Sequence, residues 1–135
     1  MNPIVNVLAL DIGEKRIGVA RANSLAKLPE PLAVLDNNPD FKVKLDSIIN
    51  EYSINEIVVG LPRNLDGQET KQSIFTRQFV SDNFQNIPVK FQDETLSSVE
   101  AEKRMKNYGL ENRPDMLDAV AACIILEDYI NYEGC

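Results

Sequence analysis

The stretch Val7–Ala20 reads VLALDIGEKRIGVA, and its pattern decides the fold of this chain. Residues 7–10 are an apolar run that predicts a buried strand, and residues 16–21 predict a second strand after a tight turn. Because side chains alternate between the two faces of a strand, Asp11 continues the row that contains Ala9. A carboxylate at this position loses hydration, so a hydrogen-bond partner, a cation or a shifted pKa must compensate. Asp11 is therefore either a functional residue or a residue that caps the hairpin turn.

The composition of the chain is typical of a globular domain. Its 135 residues are 44% hydrophobic and 26% charged, which excludes disordered and fibrous classes and favours one domain over residues 1–135. No apolar run approaches the roughly 18 residues of a membrane span. The first residues lack the basic and apolar segments of a secretory signal, so we expect a cytoplasmic protein without a membrane partner.

The residue types restrict the chemistry that the chain can perform. The sequence has no histidine, which excludes histidine-dependent triads and the commonest general base. Its two cysteines, Cys123 and Cys135, are too few for a tetrahedral zinc site. The net charge of −7 argues against a basic surface all round, although a local basic rim that includes Lys15 and Arg16 is compatible with nucleic acid. An enzyme of this composition must use carboxylates, lysines, hydroxyls or a hard cation.

The periodicity of the sequence predicts the element order β-β-β-α-β-α-β-α-α. Predicted strands cover residues 7–10, 16–21, 31–35, 56–62 and 88–92, and predicted helices cover residues 40–52, 69–83, 97–108 and 114–132. In the second helix, the predicted inner stripe is Ile74, Phe75, Gln78 and Phe79. Three hairpin-linked strands followed by βαβ units predict an α/β fold with a mixed five-stranded sheet and helices on both faces.

Three acidic positions from distant parts of the sequence are candidates for one site. Asp11 ends the first strand, Asp93 and Glu94 follow the fifth, and Asp118 lies on the face of the last helix that carries Ala121. Ligands of open α/β sheets bind beside strand ends where the connection pattern switches, so these carboxylates could converge there. Asp93 or Glu94 could instead stabilise the N-terminus of the following helix.

A common centre for three carboxylates would require a cation to neutralise their repulsion. Mg²⁺ suits such a centre, because it takes oxygen ligands from a few carboxylates, from water and from substrate phosphates. Such ions activate water and stabilise the leaving oxygen in phosphodiester cleavage, a reaction that needs no histidine. Other acidic residues have ordinary structural explanations: Asp36 and Asp66 fit turns, and Asp115 fits the first turn of the last helix.

The segment Gly60–Gly67, GLPRNLDG, predicts a defined loop at the end of the fourth strand. Gly60 leaves space at the strand end. Arg63 and Asn64 could contact phosphate oxygens together with the amide donors of the following helix. The alternative is a loop that only connects two elements.

Four segments of the chain form an ordered set of motifs that covers nearly the whole sequence. They are residues 10–20 (LDIGEKRIGVA), 60–67 (GLPRNLDG), 93–101 (DETLSSVEA) and 117–122 (LDAVAA). In order and spacing, this set resembles the YqgF/RuvX family of bacterial nucleases. The resemblance implies a ribonuclease H-like fold and the two activities described for that family, Holliday junction resolution and maturation of the 5′ end of 16S ribosomal RNA.

The resemblance also implies roles for individual residues. It assigns Asp11, Glu94 and Asp118 as the catalytic carboxylates, and these would bind Mg²⁺ or Mn²⁺. The residues expected to contact the nucleic-acid backbone are Lys15, Arg16, Arg63 and Asn64.

One position departs from the family pattern. Thr95 stands where the family has an arginine after the Asp-Glu pair. The change removes a bidentate phosphate contact, which affects substrate grip or rate more than metal binding. The implied partners are pre-16S rRNA, branched DNA or both, with association with the ribosome and, for junction cutting by two sites, a homodimer.

Two other interpretations are compatible with the same motifs. A non-catalytic ribosome-associated or RNA-binding module would keep the fold and the carboxylates without cleaving its partner. Actin-like ATPases and sugar kinases share the fold and bind nucleotide between two lobes, but 135 residues supply only one lobe.

Overall fold

A mixed sheet of five strands forms the centre of the computed structural model, which describes residues 3–62, 70–94 and 98–133. The strands are β1 (Asn6–Ile12), β2 (Arg16–Asn23), β3 (Glu30–Asp36), β4 (Glu56–Pro62) and β5 (Val89–Glu94). Their order in the sheet is β3-β2-β1-β4-β5. The first three strands pair antiparallel, whereas β4 is parallel to both β1 and β5. The predicted sheet is confirmed.

Helices connect the strands and cover the sheet. The described α-helices are α1 (Phe41–Glu51), α2 (Lys71–Asn83), α3 (Ser98–Arg104) and α4 (Leu117–Glu133). Short 3₁₀ turns cover Met105–Tyr108 and Pro114–Met116. Among the described residues, no helix has the length and apolar character needed to cross a membrane. One domain over residues 1–135 stays a prediction.

Different helices cover the two faces of the sheet. On one face, Leu8 and Leu10 of β1 pack in a cluster with Leu45 of α1 and with residues of α2. On the other face, Ala9 packs in a second cluster with Ala122 of α4. Helices therefore lie on both faces, as predicted, and the alternation along β1 decides which side chains meet which helices.

The third predicted helix ends earlier than residue 108. Its α-helical part stops at Arg104, and a 3₁₀ turn continues to Tyr108. Gly109 closes this turn in a left-handed conformation with φ of 70°, and its N–H donates to the carbonyl of Lys106 at 3.1 Å. A 3₁₀ turn commonly tightens a helix end in this way. Ser97, the predicted start of the helix, lies outside the described residues.

The last predicted helix begins later than residue 114. A 3₁₀ turn opens at Pro114, and the α-helix starts at Leu117. The N–H of Met116 donates to the carbonyl of Arg113 at 3.0 Å, which is the short spacing of a 3₁₀ turn. Proline near the start therefore leads into the helix through a tighter turn instead of forming its first α-helical residue.

The inner face of α2 differs from the predicted stripe. Ile74 is 58% exposed and Gln78 is exposed, whereas Ser73 and Thr76 are buried. Thr70 and Ser73 form a reciprocal cap at the helix start, which turns Ser73 inward and fixes the rotation of the helix. The buried hydroxyls are satisfied by backbone carbonyls at 2.9 Å. The two phenylalanines of the predicted stripe do pack against the core.

Candidate active site

A cleft of ≈ 290 Å³ lies at the carboxyl ends of β1, β4 and β5, where α4 crosses the sheet. The three predicted catalytic carboxylates, Asp11, Glu94 and Asp118, all line this cleft. Its other polar and small lining residues include Gly13, Gly60, Gln72 and Ala101. Three elements that are distant in the sequence therefore contribute acidic side chains to one place.

Asp11 lies in β1 on the face that α4 covers, in the same row as Ala9. The hairpin turn after it is closed by the backbone, because the N–H of Gly13 donates to the carbonyl of Arg16 at 2.9 Å. Burial and the negative charge of Asp118 raise the pKa of Asp11 to about 6. Both causes act against the ionised form, so a cation beside Asp11 would relieve both.

Gly18 allows Asp118 to approach Asp11. Gly18 pairs with Asp11 across the β1–β2 ladder, and a Cβ atom at Gly18 would lie 1.9 Å from the backbone oxygen of Asp118. Any side chain at this position would therefore have to displace the start of α4. The first turn of α4 rests directly on Gly18, and this contact places Asp118 next to the end of β1.

Strand alternation separates Glu94 from Asp93. Glu94 lines the cleft, whereas Asp93 is exposed and is not among the cleft residues. Lys90 lies four residues before Glu94 in β5 and therefore on the same face of the strand. Its ammonium lies 5.9 Å from the ring of Tyr129 in α4, so this face of β5 is the one that α4 covers. Burial, a hydrogen bond with Asp128 and the charges of neighbouring carboxylates raise the pKa of Glu94 to about 9. All of these causes favour the protonated form of Glu94.

Arg16 and Asp118 form an ion pair at the rim of the cleft. The Nε atom of Arg16 donates to Oδ2 of Asp118 at 3.0 Å, and the two side chains are 60% and 31% exposed. The pair joins the β1–β2 turn to the first turn of α4. Arg16 was expected to contact nucleic acid, and here it contacts one of the predicted catalytic carboxylates.

The carboxylates of the cleft have the chemistry of a hard-cation site but do not surround one point. They offer oxygen ligands only, which Mg²⁺ prefers. Within residues 3–62, 70–94 and 98–133, no three Asp, Glu or Cys side chains lie close enough together to hold one metal ion. Asp118 is engaged by Arg16, and Glu94 is engaged by Asp128. A hydrated ion held through one or two carboxylates fits this arrangement, whereas a site made by all three requires these contacts to open.

Two polar residues of the site, Asp128 and Gln72, are absent from the predicted set. Asp128 follows Ala121 by seven residues and Ile125 by three, so it lies on the face of α4 that lines the cleft, and this helical spacing was a signal that could have identified it. Gln72 lies in the first turn of α2, and its Nε2 donates to the carbonyl of Ile12 at 2.9 Å. That contact joins residues 60 positions apart, so no local sequence pattern predicts it.

Of the other residues predicted to contact the nucleic-acid backbone, only Lys15 lies within the described part of the chain. Lys15 is exposed on the β1–β2 turn, close in sequence to the cleft residue Gly13. Arg63 and Asn64 lie outside the described residues, as does Thr95.

Asp36 and Asp115, which the sequence assigned to turns or helix starts, have structural contacts of that kind. Asp115 lies in the 3₁₀ turn before α4, where Arg113 donates to both of its oxygens at 3.0 and 2.8 Å. This contact lowers the pKa of Asp115. Asp36 ends β3, and its carbonyl accepts from the N–H of Asn38 at 3.0 Å. Asp66 lies outside the described residues.

Comparison with known proteins identifies relatives over almost the whole chain. The family described as "RuvX: Holliday junction resolvase" matches residues 5–132. A protein of Paraburkholderia phymatum named "Putative pre-16S rRNA nuclease" is 41% identical over 130 residues, which cover 93% of this chain and 84% of the relative. Proteins of the same name from Sulfurihydrogenibium sp. and Halothermothrix orenii are each 35% identical. The matches cover 93% and 96% of this chain and 89% and 97% of those relatives.

Solved structures of resolvases share the fold. RuvC of T. thermophilus in complex with a Holliday junction substrate matches with a TM-score of 0.57 at 14% identity, over 96% of each chain. The Fowlpox virus resolvase in complex with Holliday junction DNA matches with a TM-score of 0.55 at 12% identity, over 96% of this chain and 98% of the resolvase. At such identities the likeness concerns the fold alone, and it confirms the predicted ribonuclease H-like architecture.

Proposed function

Because the chain belongs to the RuvX family of Holliday junction resolvases, we propose that it is a divalent-cation-dependent nuclease that hydrolyses phosphodiester bonds in structured nucleic acid. The observation that supports the proposal is the cleft that Asp11, Glu94 and Asp118 line from three separate elements. Burial and neighbouring charges raise the pKa of two of them. Titratable groups perturbed in this way within a cleft are typical of a catalytic site.

Precursor 16S rRNA is the substrate that the relatives favour. Proteins at 35–41% identity carry that activity in their names, and their lengths are covered to 84% or more. A four-way DNA junction is the second substrate, because the family description names Holliday junctions. Both substrates present phosphodiester bonds within folded nucleic acid, so one cleft could act on either.

Asp11 is the central carboxylate of the proposed mechanism. Its charge contributes to the raised pKa of Glu94, and the charge of Asp118 contributes to its own raised pKa. Asp11, Glu94 and Asp118 would hold Mg²⁺ or Mn²⁺, which supplies an activated water and stabilises the leaving oxygen when bound. Glu94 must first lose its proton, and Asp118 must first lose the hydrogen bond from Arg16. Lys15, exposed on the adjacent turn, would contact the substrate backbone.

The test is cleavage of pre-16S rRNA and of a four-way DNA junction, measured side by side with and without Mg²⁺. We expect the wild type to cut at least one substrate only with Mg²⁺. Asp11→Asn should lower the rate about a thousandfold, which corresponds to about 4 kcal/mol of activation free energy. The amide keeps the shape of the carboxylate but removes the charge that a cation requires.

The matched control is Asp46→Asn on α1, whose carboxylate is exposed and pairs with Lys42 at 2.9 Å on the opposite side of the sheet. This variant should cut at the wild-type rate. If the wild type binds either substrate but cuts neither with Mg²⁺, the protein is a nucleic-acid-binding module and the nuclease proposal fails.

Partners beyond the substrate belong to the same proposal. A junction is cut at two strands, so resolution requires two active sites and implies a homodimer. Maturation of rRNA implies association with a ribosomal particle. Light scattering with and without a four-way DNA junction measures whether the protein forms the homodimer.

A further inference from the structure

Arg16 lies where two depressions of the surface meet. It donates to Asp118, which lines the catalytic cleft, and it also lines a neighbouring polar groove of ≈ 560 Å³. The groove contains Arg113 and Asp115 as well, and Asp118 lines both depressions. Leu117 and Asp118 therefore form the common wall between the cleft and the groove, and Arg16 contacts this wall from the groove side.

The ion pair between Arg16 and Asp118 can be broken with little loss of free energy. Among the described contacts, Arg16 uses its Nε atom in one hydrogen bond, and its side chain is 60% exposed. Ion pairs between exposed side chains contribute little to stability, because water screens them and side-chain entropy opposes them. A divalent cation carries twice the charge of the guanidinium and would compete for the same carboxylate oxygens.

The charge of the groove depends on this contact. Arg16 and Arg113 are balanced there by Asp118 and Asp115, to which they are paired. A cation on Asp118 would leave the charge of Arg16 uncompensated, while the pair of Arg113 with Asp115 would stay intact. The groove would then present a free guanidinium, whose planar fork matches the oxygens of a phosphodiester.

We propose that Arg16 exchanges partners during the reaction: it pairs with Asp118 in the free protein and with a backbone phosphate of nucleic acid once a divalent cation occupies Asp118. This inference rests on the proposed nuclease function and adds a coupling to it. Cation binding frees the phosphate ligand, and phosphate binding keeps Arg16 away from the cation site. Linkage requires that each ligand strengthens the binding of the other by the same factor.

The first test measures Mn²⁺ affinity without nucleic acid, by electron paramagnetic resonance titration. Arg16→Gln removes the competitor for Asp118, so this variant should bind Mn²⁺ about three- to tenfold more tightly than the wild type. Arg16→Lys keeps the charge and should stay near the wild type. Arg113→Gln removes the same charge from the groove but frees Asp115 instead of Asp118, so it should change the affinity less. Equal or weaker Mn²⁺ binding by Arg16→Gln would overturn the exchange.

The second test measures binding of a labelled four-way DNA junction in EDTA and in Ca²⁺. Because Asp118 holds Arg16 without a cation, Arg16→Gln should weaken binding less than about twofold in EDTA and about three- to tenfold in Ca²⁺. Arg113→Gln should weaken binding by the same factor in both solutions. The exchange is wrong if the loss caused by Arg16→Gln is also the same in both.

The two proposals fail in different ways. If the nuclease proposal fails because the cleft binds no cation, Asp11→Asn leaves the Mn²⁺ affinity of the protein unchanged; if it fails because the bound cation does not lead to cleavage, the wild type binds Mn²⁺ but cuts neither substrate. If only the exchange fails, Asp11→Asn weakens Mn²⁺ binding while Arg16→Gln does not strengthen it.

Discussion

The two faces of the central sheet are built from side chains of different size. The face under α1 and α2 contains large residues such as Leu8, Leu10 and Leu45, which are fully buried. On the face under α4, most of the buried strand residues are small, such as Ala9, Ala20 and Ala22, and the larger side chains of that layer come from α4. Large side chains bury more apolar area and stabilise the fold, whereas small ones let a helix lie close to the sheet. The carboxylates of the cleft lie at the edge of the small-residue face.

This difference implies that stability and catalysis are separable by face. A change on the large-residue face away from Ile12 and Gln72 should affect the free energy of unfolding and leave the cleft intact. A change on the small-residue face should move the carboxylates as well. The following variants test that separation.

The largest effect on stability is expected for Leu45→Ala. Leu45 is fully buried in the core cluster under α1, and its truncation leaves a cavity there. We expect a loss of about 3 kcal/mol in the free energy of unfolding, measured by urea denaturation. Cleavage at a temperature where the variant is folded should equal that of the wild type. A large loss of cleavage by the folded variant would show that the two faces are coupled.

A smaller effect on stability is expected for Gly18→Ala, together with a large effect on cleavage. The new Cβ would meet the backbone of Asp118 at 1.9 Å, so the first turn of α4 must move. Overpacking of this kind costs about 2 kcal/mol of stability. A displacement of about 1 Å at Asp118 should lower the cleavage rate about a hundredfold.

The matched control for this variant is Gly109→Ala. Gly109 has φ of 70° and open space around its Cβ position, so alanine strains the backbone there without a clash. We expect a stability loss of about 1 kcal/mol with unchanged cleavage. If the two glycine variants lose cleavage equally, the contact between Gly18 and α4 does not position the site.

The smallest effect on stability is expected for Glu94→Gln, and this effect depends on pH. The pKa of Glu94 is about 9 in the folded protein against an ordinary value of 4.5, so the folded state binds more protons between these values. The stability of the wild type therefore falls as pH rises from about 4.5 to about 9. Glutamine removes this dependence, so the variant should be more stable at pH 9 by about 1 kcal/mol, a value reduced because Glu94 is half-exposed.

Thermal unfolding of both proteins at pH 4 and pH 9 measures this difference, which should vanish at pH 4. Saturating Mg²⁺ should reverse it, because a cation stabilises the ionised carboxylate and not the amide. The proton of Glu94 must also leave before a cation binds, so the Mg²⁺ affinity of the wild type should increase from pH 6 to pH 9. An affinity that is independent of pH would exclude Glu94 as a ligand.

The choice between Glu94 and Asp93 shows how far a local pattern reaches. Both carboxylates follow the same apolar strand, and the sequence leaves open which of them caps the next helix. The alternation of β5 places Glu94 on the α4 side, while Asp93 is exposed outside the cleft. Lys90 contacts α4, and it lies four residues before Glu94 and three before Asp93. This one contact would have shown that Glu94, and not Asp93, faces α4.

The rotation of α2 shows where periodicity misleads. Ile74 is more hydrophobic than Ser73, so the hydropathy pattern turns Ile74 inward. In the structure, the cap formed by Thr70 and Ser73 determines the rotation, and Ile74 is 58% exposed. Hydrogen bonds at a helix end can outweigh the burial of one side chain, because an unsatisfied buried donor costs more than an exposed methyl group.

The sequence by itself determined the sheet, its helical layers and the positions of Asp11 and Asp118, because strand alternation and helix periodicity are local properties of the chain. The preference for Glu94 over Asp93 came from the resemblance to the family. Only the tertiary structure decided which groups those carboxylates contact. Arg16 and Asp118 are 102 residues apart, and their pairing depends on how closely α4 packs on Gly18. Such a contact depends on interatomic distances across the fold, and no sequence interval encodes those distances.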